Sequence, residues 1–579
     1  MIITHPGTGF EFLDGCEWSH RRRRSPPHPD RCAILVLMRL FFLLVCGLLY
    51  ADDLWLRNGK VWTANPAQPW AQSILIKGNI IAAAGADKDI APQAKGAREI
   101  DLRGRLTIPG FNDAHLHFLG GSLGLSQIDL NGICTLDAIQ KEIASFAAKH
   151  PNDKWLHGRG WEYVCFPQGR LPVKEDIDKV VKDRPVFLSA YDGHTGWVNS
   201  KALELAGLTK DSTFTGYGEI VRDPNTGLPT GALKEGAMGL VRRLVPVPDK
   251  AQKLASLEAG LRMAAGLGIT SVQNANGSLD EVELYEELRS QNKLTLRTSF
   301  AMSVGPMVSE AELTEYANLR HKYPGPLLRV GAIKISLDGV IESHTAAMLD
   351  PYSNNKNTSG KSAWTAEQFA KTVRTADKLG LQIYTHAIGD RAVRMALDGY
   401  EKASPAARHR IEHIETIHPS DIPRFAALGV LPSMQPIHAD PSGVEIWSAA
   451  IGPERTKMGF AWRSIEKAGG RLVFSSDWPA SISVNPIRGI HNAVNRRTIT
   501  GLPPQGWIPE ERVSVETALR AYTINGAYAS REENQKGAIR PGLLADIIVL
   551  SQDIFTIPPM DIHKTRVDLT IFNGRIIKQ

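Results

Sequence analysis

A repeated helix-then-strand order is the feature that most narrows the folds open to this chain. Thr365 and Gln368 form the pattern of a capping box, which predicts a helix that ends at Gly380, before the apolar strand "LQIYTHAIG". The same order returns in "DIPRFAALG" before "VLPSMQP" and in "RSIEKAGG" before "RLVFSSDWP". Alternating helices and apolar strands are typical of a parallel α/β sheet. We expect a (β/α)8 TIM-like barrel with insertions at residues 108–536, because about 430 residues suit a barrel better than an open sheet.

Short β-rich runs with glycine turns occupy both ends of the chain. The stretch "DLWLRNGKVWTANPAQPWAQSILIKGNIIAAAG" alternates apolar and polar residues between Asn-Gly and Lys-Gly-Asn turns. The stretches "GAIRPGLLADIIVL" and "LTIFNGRIIKQ" repeat this pattern near the C-terminus. We therefore expect residues 52–107 and 537–579 to form one small β domain together.

Residues 1–51 have the composition of a leader or signal segment. The stretch "MRLFFLLVCGLLYA" combines a cation, an apolar run and a small residue at Ala51, which predicts a cleaved signal peptide and a periplasmic or secreted protein. Met38 is a second candidate for the true start. The alternative is a retained membrane anchor, because the run from Ala33 to Ala51 approaches spanning length with Arg39 as its one charge.

Charge and cysteine content argue against a nucleic-acid partner and against a zinc site made of thiolates. A formal net charge of +6 is small for 579 residues, so we expect no nucleic-acid partner. After the leader the only cysteines are Cys134 and Cys165, and no C-x-x-C spacing occurs, which argues against a thiolate zinc site. The two thiols can pair in an oxidising compartment if folding brings their Cα atoms to bridging distance, but we expect both to be free.

Residues that suit metal coordination terminate five of the apolar runs. Parallel barrels carry their chemistry at the ends of their strands, so these residues are expected to meet. His115 and His117 are two positions apart on an extended segment, and side chains at that spacing point to the same side. An H-x-H pair alone is weak support, since two partly exposed histidines explain it equally well. Four histidines and an aspartate at strand ends together suit a borderline metal such as zinc; the full set of candidates is His115, His117, Lys334, His386, His413 and Asp477.

Lys334 is the unusual member of this set. A strand lysine ordinarily extends its amine to solvent. Lys334, however, lies between Ile333 and Ile335 in a strand expected to be interior, where burial would lower the pKa of its amine. A neutral amine can react with carbon dioxide to give a carbamate, which is a carboxylate able to bridge two ions.

Several longer blocks of sequence occur in a fixed order from about residue 52 to the end of the chain. They are "IPGFNDAHLHF", "DGHTGWVNSKAL", "TGALKEGA", "IKISLDGVIESHTAAML", "THAIGDRAV", "RIEHIE", "SSDWP" and "KGAIRPGLLADIIVL". In this order the blocks resemble the amidohydrolase superfamily, specifically its amidohydrolase-3 branch of YtcJ-like metal-dependent hydrolases. The resemblance implies a barrel packed against a composite β-sandwich that both chain ends form.

The resemblance also implies a binuclear metal centre. One ion, the more buried, would be held by His115, His117 and Asp477, and the second by His386 and His413. A carboxylated Lys334 would bridge the two ions, which we expect to be zinc. Two ions about 3.5–4 Å apart share a water molecule whose pKa falls toward about 7, giving hydroxide as the nucleophile. Asp477 would take the proton from this hydroxide and pass it to the leaving nitrogen.

A second group of residues comes from the same blocks with weaker support. His194 follows the strand "RPVFLSA" and is a candidate catalytic contact to substrate or oxyanion, with a structural imidazole as the alternative. Trp197 is expected to form a wall of the site. Glu235, Asp390 and Arg391 are candidates to orient the metal ligands, although a buried ion pair explains Asp390 and Arg391 equally well. Asp338 and His344 are expected to support loops.

These observations favour a metal-dependent hydrolase that cleaves a non-peptide C–N bond, most simply an amide, of a small-molecule substrate. One alternative is a mononuclear deaminase that uses the same histidines and aspartate, with Lys334 only structural. A lactone or ester hydrolase and a non-catalytic periplasmic binding protein are further alternatives. The resemblance leaves substrate, native metal and a homodimeric assembly open, because loops on one scaffold diverge freely.

Overall fold

The computed structural model describes residues 53–162, 165–166, 170–191, 193, 195–215, 218–342 and 344–579. The leader predicted at residues 1–51 and the candidate His194 lie outside the described residues, as does the side chain of Glu235. None of the helices in the described part of the chain is both long and apolar enough to cross a membrane.

Eight parallel strands form a barrel in which every strand pairs with its neighbours in chain order. They are labelled in that order: β1 Phe111–Leu116, β2 Ile269–Gly277, β3 Arg297–Ser303, β4 Leu328–Ser336, β5 Gln382–Ala387, β6 Arg410–His413, β7 Leu431–Met434 and β8 Val473–Phe474. Just beyond β8, the amide of Asp477 donates to the carbonyl of His115 at 2.8 Å, which joins the last strand to the first. The predicted TIM-like barrel is confirmed.

Helices surround the barrel and cover the outer faces of its strands. Their bounds are Phe118–Gly124, Lys250–Gly266, Leu279–Ser290, Glu310–Lys322, Ala366–Lys378, Asp390–Tyr400, Arg424–Leu428, Val444–Ile451, Pro453–Thr456, Trp462–Lys467, Pro486–Asn495, Val515–Ala521 and Ile524–Ala529. The capping box is present, because Thr365 accepts from the amide of Gln368 at 3.1 Å while the Gln368 side chain accepts from the amide of Thr365 at 2.9 Å. Gly380 follows this helix with φ of +71°, a left-handed conformation that glycine adopts without a steric penalty.

Two additional sheets are built from the chain ends. One contains Ile80–Gly85, Ser73–Lys77, Leu54–Arg57 and Arg98–Asp101 in that spatial order, with the short helix Asp87–Ile90 beside it. The other places the N-terminal strands Leu106–Pro109, Lys60–Trp62 and Trp70–Ala71 beside the C-terminal strands Ile547–Leu550, Val567–Phe572 and Arg575–Lys578. Apolar side chains of both sheets belong to the same buried cluster as the barrel. A composite β domain made by both ends is therefore confirmed.

A fourth sheet is inserted between β1 and β2. Its strands in spatial order are Gly218–Arg222, Pro229–Glu235, Thr195–Val198, Val186–Ala190, Leu156–Trp161 and Ile128–Asp129. The helices Leu136–Lys149, Lys174–Asp178, Ser200–Leu205 and Gly239–Arg242 belong to the same stretch. Arg159 of this sheet donates to the carbonyl of Pro479, so the inserted sheet contacts the loop that follows β8.

The expectation that Cys134 and Cys165 are free thiols is wrong. The two form a disulfide with their Cα atoms 4.5 Å apart, at a separation of 31 residues in sequence. Cys165 is buried in the apolar cluster of the inserted sheet, beside Phe166 and Trp161. The pairing depends on tertiary packing of this insertion, and neither sequence spacing nor composition contains that information.

Replacing both cysteines with serine should destabilise the inserted sheet. A cross-link that closes a loop of this length removes chain entropy from the unfolded state worth about 3 to 4 kcal/mol. We expect thermal unfolding of the Cys134→Ser/Cys165→Ser variant to begin at a lower temperature than in the parent. Peptide mapping of the parent under non-reducing conditions should detect the two cysteine peptides as one linked species. Recovery of both peptides in unlinked form would contradict the disulfide.

Candidate metal centre

All six residues predicted to coordinate metal lie at one end of the barrel. His115 is in β1, Lys334 in β4, His386 in β5 and His413 in β6, each near the C-terminal end of its strand. His117 directly follows β1, and Asp477 lies three residues after β8. Parallel strands bring their C-terminal ends to the same face, so residues far apart in sequence meet there.

The imidazole of His115 is oriented by a buried carboxylate. Its Nδ1 lies 2.6 Å from Oε2 of Glu412, and both side chains are fully buried. We assign the proton to Nδ1 from this contact, which leaves Nε2 with its lone pair. That nitrogen lies 3.1 Å from Nζ of Lys334 and 3.4 Å from Oδ1 of Asp477. A carboxylate behind a histidine is the usual arrangement for fixing the ring of a metal ligand.

The other histidines are oriented by neutral acceptors. His117 directs Nδ1 to the carbonyl of Ala275 at 3.0 Å and brings Nε2 to 3.2 Å from Oδ1 of Asp477. His413 directs Nδ1 to Oε1 of Gln435 at 2.8 Å. His386 directs Nε2 to the carbonyl of Gly339 at 3.2 Å, and the carboxylate Oδ1 of Asp338 lies 3.6 Å from the same nitrogen. Each ring therefore keeps one nitrogen available to the centre of the cluster, which suits coordination.

The rings are packed closely enough to share ligands. The ring centroids of His115 and His413 are 5.0 Å apart, and those of His386 and His413 are 4.5 Å apart. His413 and Asp477 both adopt left-handed backbone conformations, with φ of +74° and +57°. Such conformations in residues other than glycine are uncommon and concentrate at functional sites.

Burial lowers the pKa of three imidazoles in the cluster. It lowers the pKa of His115 to about 4 and that of His386 to about 3, and it places the pKa of His413 well below the usual value. Burial alone would raise the pKa of Asp477, but the facing imidazoles, His115 foremost, hold it well below its usual range. At neutral pH these three histidines thus present neutral nitrogen donors and Asp477 presents an ionised carboxylate, which are the forms that bind metal.

Lys334 is buried as the sequence predicts. Only 3% of its surface is exposed, and burial lowers the pKa of its amine to about 8. A measurable fraction of the amine is then neutral near physiological pH, which is the form that adds carbon dioxide. The amine lies within the cluster, 3.1 Å from His115, where a carbamate would meet the histidine nitrogens. Carboxylation itself stays a prediction.

The donor set fits a divalent cation. Ligand atoms from His115, His413 and Asp477 lie within 4.8 Å of one another, and all three residues are buried. Oδ1 of Asp477 is a buried oxygen without a hydrogen-bond partner among the described residues. A buried ionised oxygen normally has a partner, and a cation at this position would supply one. His117 and His386 lie at the edges of the same cluster.

The sequence interpretation missed three residues beside this cluster. Glu412 orients His115, and it is itself paired with the fully buried guanidinium of Arg410. His438 lies on the short 3-10 helix Pro436–Ala439 after β7, with Nε2 3.6 Å from Oδ2 of Asp477. Glu415 approaches Nδ1 of His438 with Oε1 at 3.4 Å. The block "RIEHIE" contains both glutamates, and their position beside the predicted ligand His413 was the available signal.

The weaker candidates contact mostly backbone. Trp197 is fully buried and donates from its indole to the carbonyl of Val173 at 2.9 Å. Asp338 accepts from three backbone amides, while His344 lies 2.8 Å from Oδ1 of Asn354. Asp390 accepts from the amide of Leu349, and Arg391 donates to the carbonyl of Gly360. Oδ1 of Asp338 also lies 3.6 Å from Nε2 of His386, so Asp338 reaches the edge of the histidine cluster, whereas the other contacts support the loops around the site.

Comparison with known proteins places the chain in a family. The sequence model of the amidohydrolase family matches residues 98–578, which include every residue of the cluster. The chain belongs to the amidohydrolase family. The resemblance noted in the sequence is thereby confirmed, together with its barrel fold and its metal-dependent class of chemistry.

Three relatives share most of their length with this amidohydrolase. The chain is 31% identical to the protein LONG AFTER FAR-RED 3 of Arabidopsis thaliana, over 86% of this chain and 87% of the relative. It is 28% identical to the putative amidohydrolase YtcJ of Bacillus subtilis (strain 168), over 90% of this chain and 98% of the relative. It is 27% identical to the N-substituted formamide deformylase of Arthrobacter pascens, over 90% of this chain and 97% of the relative.

A solved structure supports the same assignment. The crystal structure of an uncharacterized metal-dependent hydrolase from Pyrococcus furiosus superposes with a TM-score of 0.69 at 26% sequence identity. The match covers 87% of this amidohydrolase and 100% of the other chain.

Proposed function

We propose that this protein hydrolyses an amide-type, non-peptide C–N bond of a small organic substrate. The convergence of His115, His413 and Asp477, with ligand atoms within 4.8 Å, carries the proposal, because it supplies buried donors for a metal at the catalytic end of the barrel. The similarity to an N-substituted formamide deformylase supports an amide as the substrate class. A carbonyl carbon bearing a nitrogen leaving group is the centre that such a site activates.

The proposed centre holds two divalent ions, most simply zinc. His115, His117 and Asp477 would hold one, His386 and His413 the other, and a carboxylated Lys334 would bridge them. Divalent ions in such a site polarise a carbonyl oxygen and lower the pKa of a water molecule toward neutrality. The neutral imidazoles of His115 and His386 and the deprotonated carboxylate of Asp477 support this assignment.

Residues of the chain itself carry the proton transfer. Asp477 lies between the histidines, and its Oδ1 faces the cluster without a hydrogen-bond partner among the residues that the structure describes. That carboxylate would accept the proton of the attacking water as the new C–O bond forms and return it to the nitrogen as the C–N bond breaks. The reaction consumes one water molecule and releases one acid and one amine. His194 is proposed to contact the substrate.

A substrate panel tests the reaction class. The purified protein should release formate and amine from an N-substituted formamide, and the activity should disappear after dialysis against a chelator and return when zinc is restored. Aminated heterocycles and lactones serve as the comparison substrates, with ammonia release as the readout for deamination. Ammonia release without amide cleavage would replace this proposal with the mononuclear deaminase.

We also propose that the protein is exported. The Cys134–Cys165 disulfide supports an oxidising compartment, where such bonds persist, and the apolar run before Ala51 supports a leader. Fractionation of cells that produce the full chain should recover it outside the cytoplasm. Recovery in the membrane fraction would favour the retained anchor.

A further inference from the structure

His438 is a largely buried imidazole that the proposed chemistry does not yet use. Its side chain is 15% exposed, and its ring is nearly parallel to that of His413, at 6° with centroids 5.9 Å apart. Nε2 of His438 is buried without a hydrogen-bond partner in the described part of the chain. It lies 3.6 Å from Oδ2 of Asp477, which is beyond hydrogen-bond range. A buried nitrogen left unpaired beside the proposed reaction centre requires an explanation.

Carboxylate oxygens face both nitrogens of this ring. Nδ1 faces Oε1 of Glu415 at 3.4 Å, and Nε2 faces Oδ2 of Asp477 at 3.6 Å. Glu415 is itself fixed, because the indole of Trp447 donates to its Oε2 at 2.8 Å. A carboxylate oxygen only accepts hydrogen bonds, so a ring nitrogen that faces one is placed as a donor, and a nitrogen that carries a proton has no lone pair for a metal.

The backbone that carries His438 is held rigidly. Asp440, two residues later, pairs with Arg488 and accepts from the side-chain amide of Asn492 at 3.2 Å. The same amide reaches the carbonyl of Pro436 at 3.4 Å. Donors that are fixed before substrate arrives stabilise developing charge without reorganising, so they contribute most to catalysis.

We infer that Nε2–H of His438 donates a hydrogen bond to the carbonyl oxygen of the bound amide and to the oxyanion that replaces it. This inference rests on the proposed amide hydrolysis. The proton stays on Nε2, and the donated hydrogen bond strengthens as negative charge develops on the oxygen. Glu415 is the positioning residue that aims the ring, and Trp447 holds Glu415.

Three variants of the full chain test this role. His438→Leu removes the donor at similar volume, His438→Gln replaces it with an amide donor, and His321→Leu is a matched control because His321 is exposed on the helix Glu310–Lys322. With an N-substituted formamide we expect His438→Leu to lower kcat by about 10²- to 10³-fold with little change in KM. His438→Gln should recover part of this loss, and His321→Leu should match the parent.

Two further measurements do not depend on turnover. Titration calorimetry with formate should show at least about tenfold weaker binding to His438→Leu than to the parent, because the carboxylate product uses the same donor. Metal content by elemental analysis should equal that of the parent. Parent-like kcat and formate affinity in His438→Leu would overturn the inference, and loss of metal would overturn it by making His438 a ligand. If the parent cleaves no amide, the proposed function fails, while the formate titration still tests the donor.

Glu415→Gln separates positioning from direct contact. The neutral amide keeps the shape of the side chain but weakens the hold on Nδ1, so we expect a kcat loss smaller than that of His438→Leu, of about tenfold. Combining Glu415→Gln with His438→Leu should add little to the loss of His438→Leu alone, since the two residues act as one unit. Fully additive losses would show that Glu415 acts independently of His438.

Discussion

Asp477→Asn should reduce amide hydrolysis by about 10³-fold or more while leaving the protein folded. The substitution removes the charge and the proton-accepting capacity of the carboxylate, and a positioned base alone contributes about 10²- to 10⁴-fold. Asparagine keeps the shape of the side chain and tolerates the left-handed backbone at this position, where φ is +57°. Kinetics with an N-substituted formamide, together with a thermal unfolding curve, measure the effect.

The matched control is Asp137→Asn, because Asp137 is exposed at the start of the helix Leu136–Lys149, outside the barrel. This variant should match the parent in kcat and in unfolding temperature. Asp477→Asn with kcat within about tenfold of the parent would remove Asp477 from proton transfer, since loss of a base predicts more.

Arg410→Met should cost about 3 to 5 kcal/mol of stability, the largest loss we expect from a single substitution. The guanidinium and the carboxylate of Glu412 are both fully buried and paired. Arg410 also donates to Gln273 at 2.5 Å and lies 3.5 Å over the ring of Tyr384. Removing one partner of a buried pair leaves the other charge uncompensated in a medium of low polarity, which is the costly case. Denaturant unfolding measures the loss.

Two companion variants identify the cause. Arg289→Met removes an exposed pair with Glu286, with side chains 45% and 33% exposed, and should cost under about 1 kcal/mol. Arg410→Met/Glu412→Gln removes both buried charges and should recover part of the stability lost by Arg410→Met. The double variant should still bind metal more weakly than the parent, because His115 loses the carboxylate that orients it. Equal losses of stability from Arg289→Met and Arg410→Met would contradict the explanation that burial of the Arg410–Glu412 pair causes the large loss.

The barrel and its strand-end residues were readable from sequence because their signals are local. Capping boxes, helix periodicity and apolar strands occupy consecutive residues, so the helix after Thr365 and the strand before His386 follow directly. In a parallel barrel every strand ends at the same face, so His115, Lys334 and Asp477 could be brought together without coordinates. The composite β domain followed from similar turn patterns at the two chain ends.

Contacts that depend on tertiary packing could not be read in this way. His438 lies on a single turn of 3-10 helix after β7, and only the fold brings Glu415 and Trp447 to it. Glu412 adjoins the predicted ligand His413 in sequence, yet it serves His115, 297 residues away. The disulfide was mispredicted for the same reason, because bridging distance between Cys134 and Cys165 is set by the packing of the inserted sheet.

Metal stoichiometry tests the proposed centre most directly. Elemental analysis would be made on the full chain purified without chelator and supplied with bicarbonate, for the parent and Lys334→Ala side by side. The binuclear hydrolase predicts two ions per chain in the parent and one or none in the variant, with amide hydrolysis lost in parallel. One ion in both proteins would contradict the bridging carbamate and would favour the mononuclear deaminase as the function.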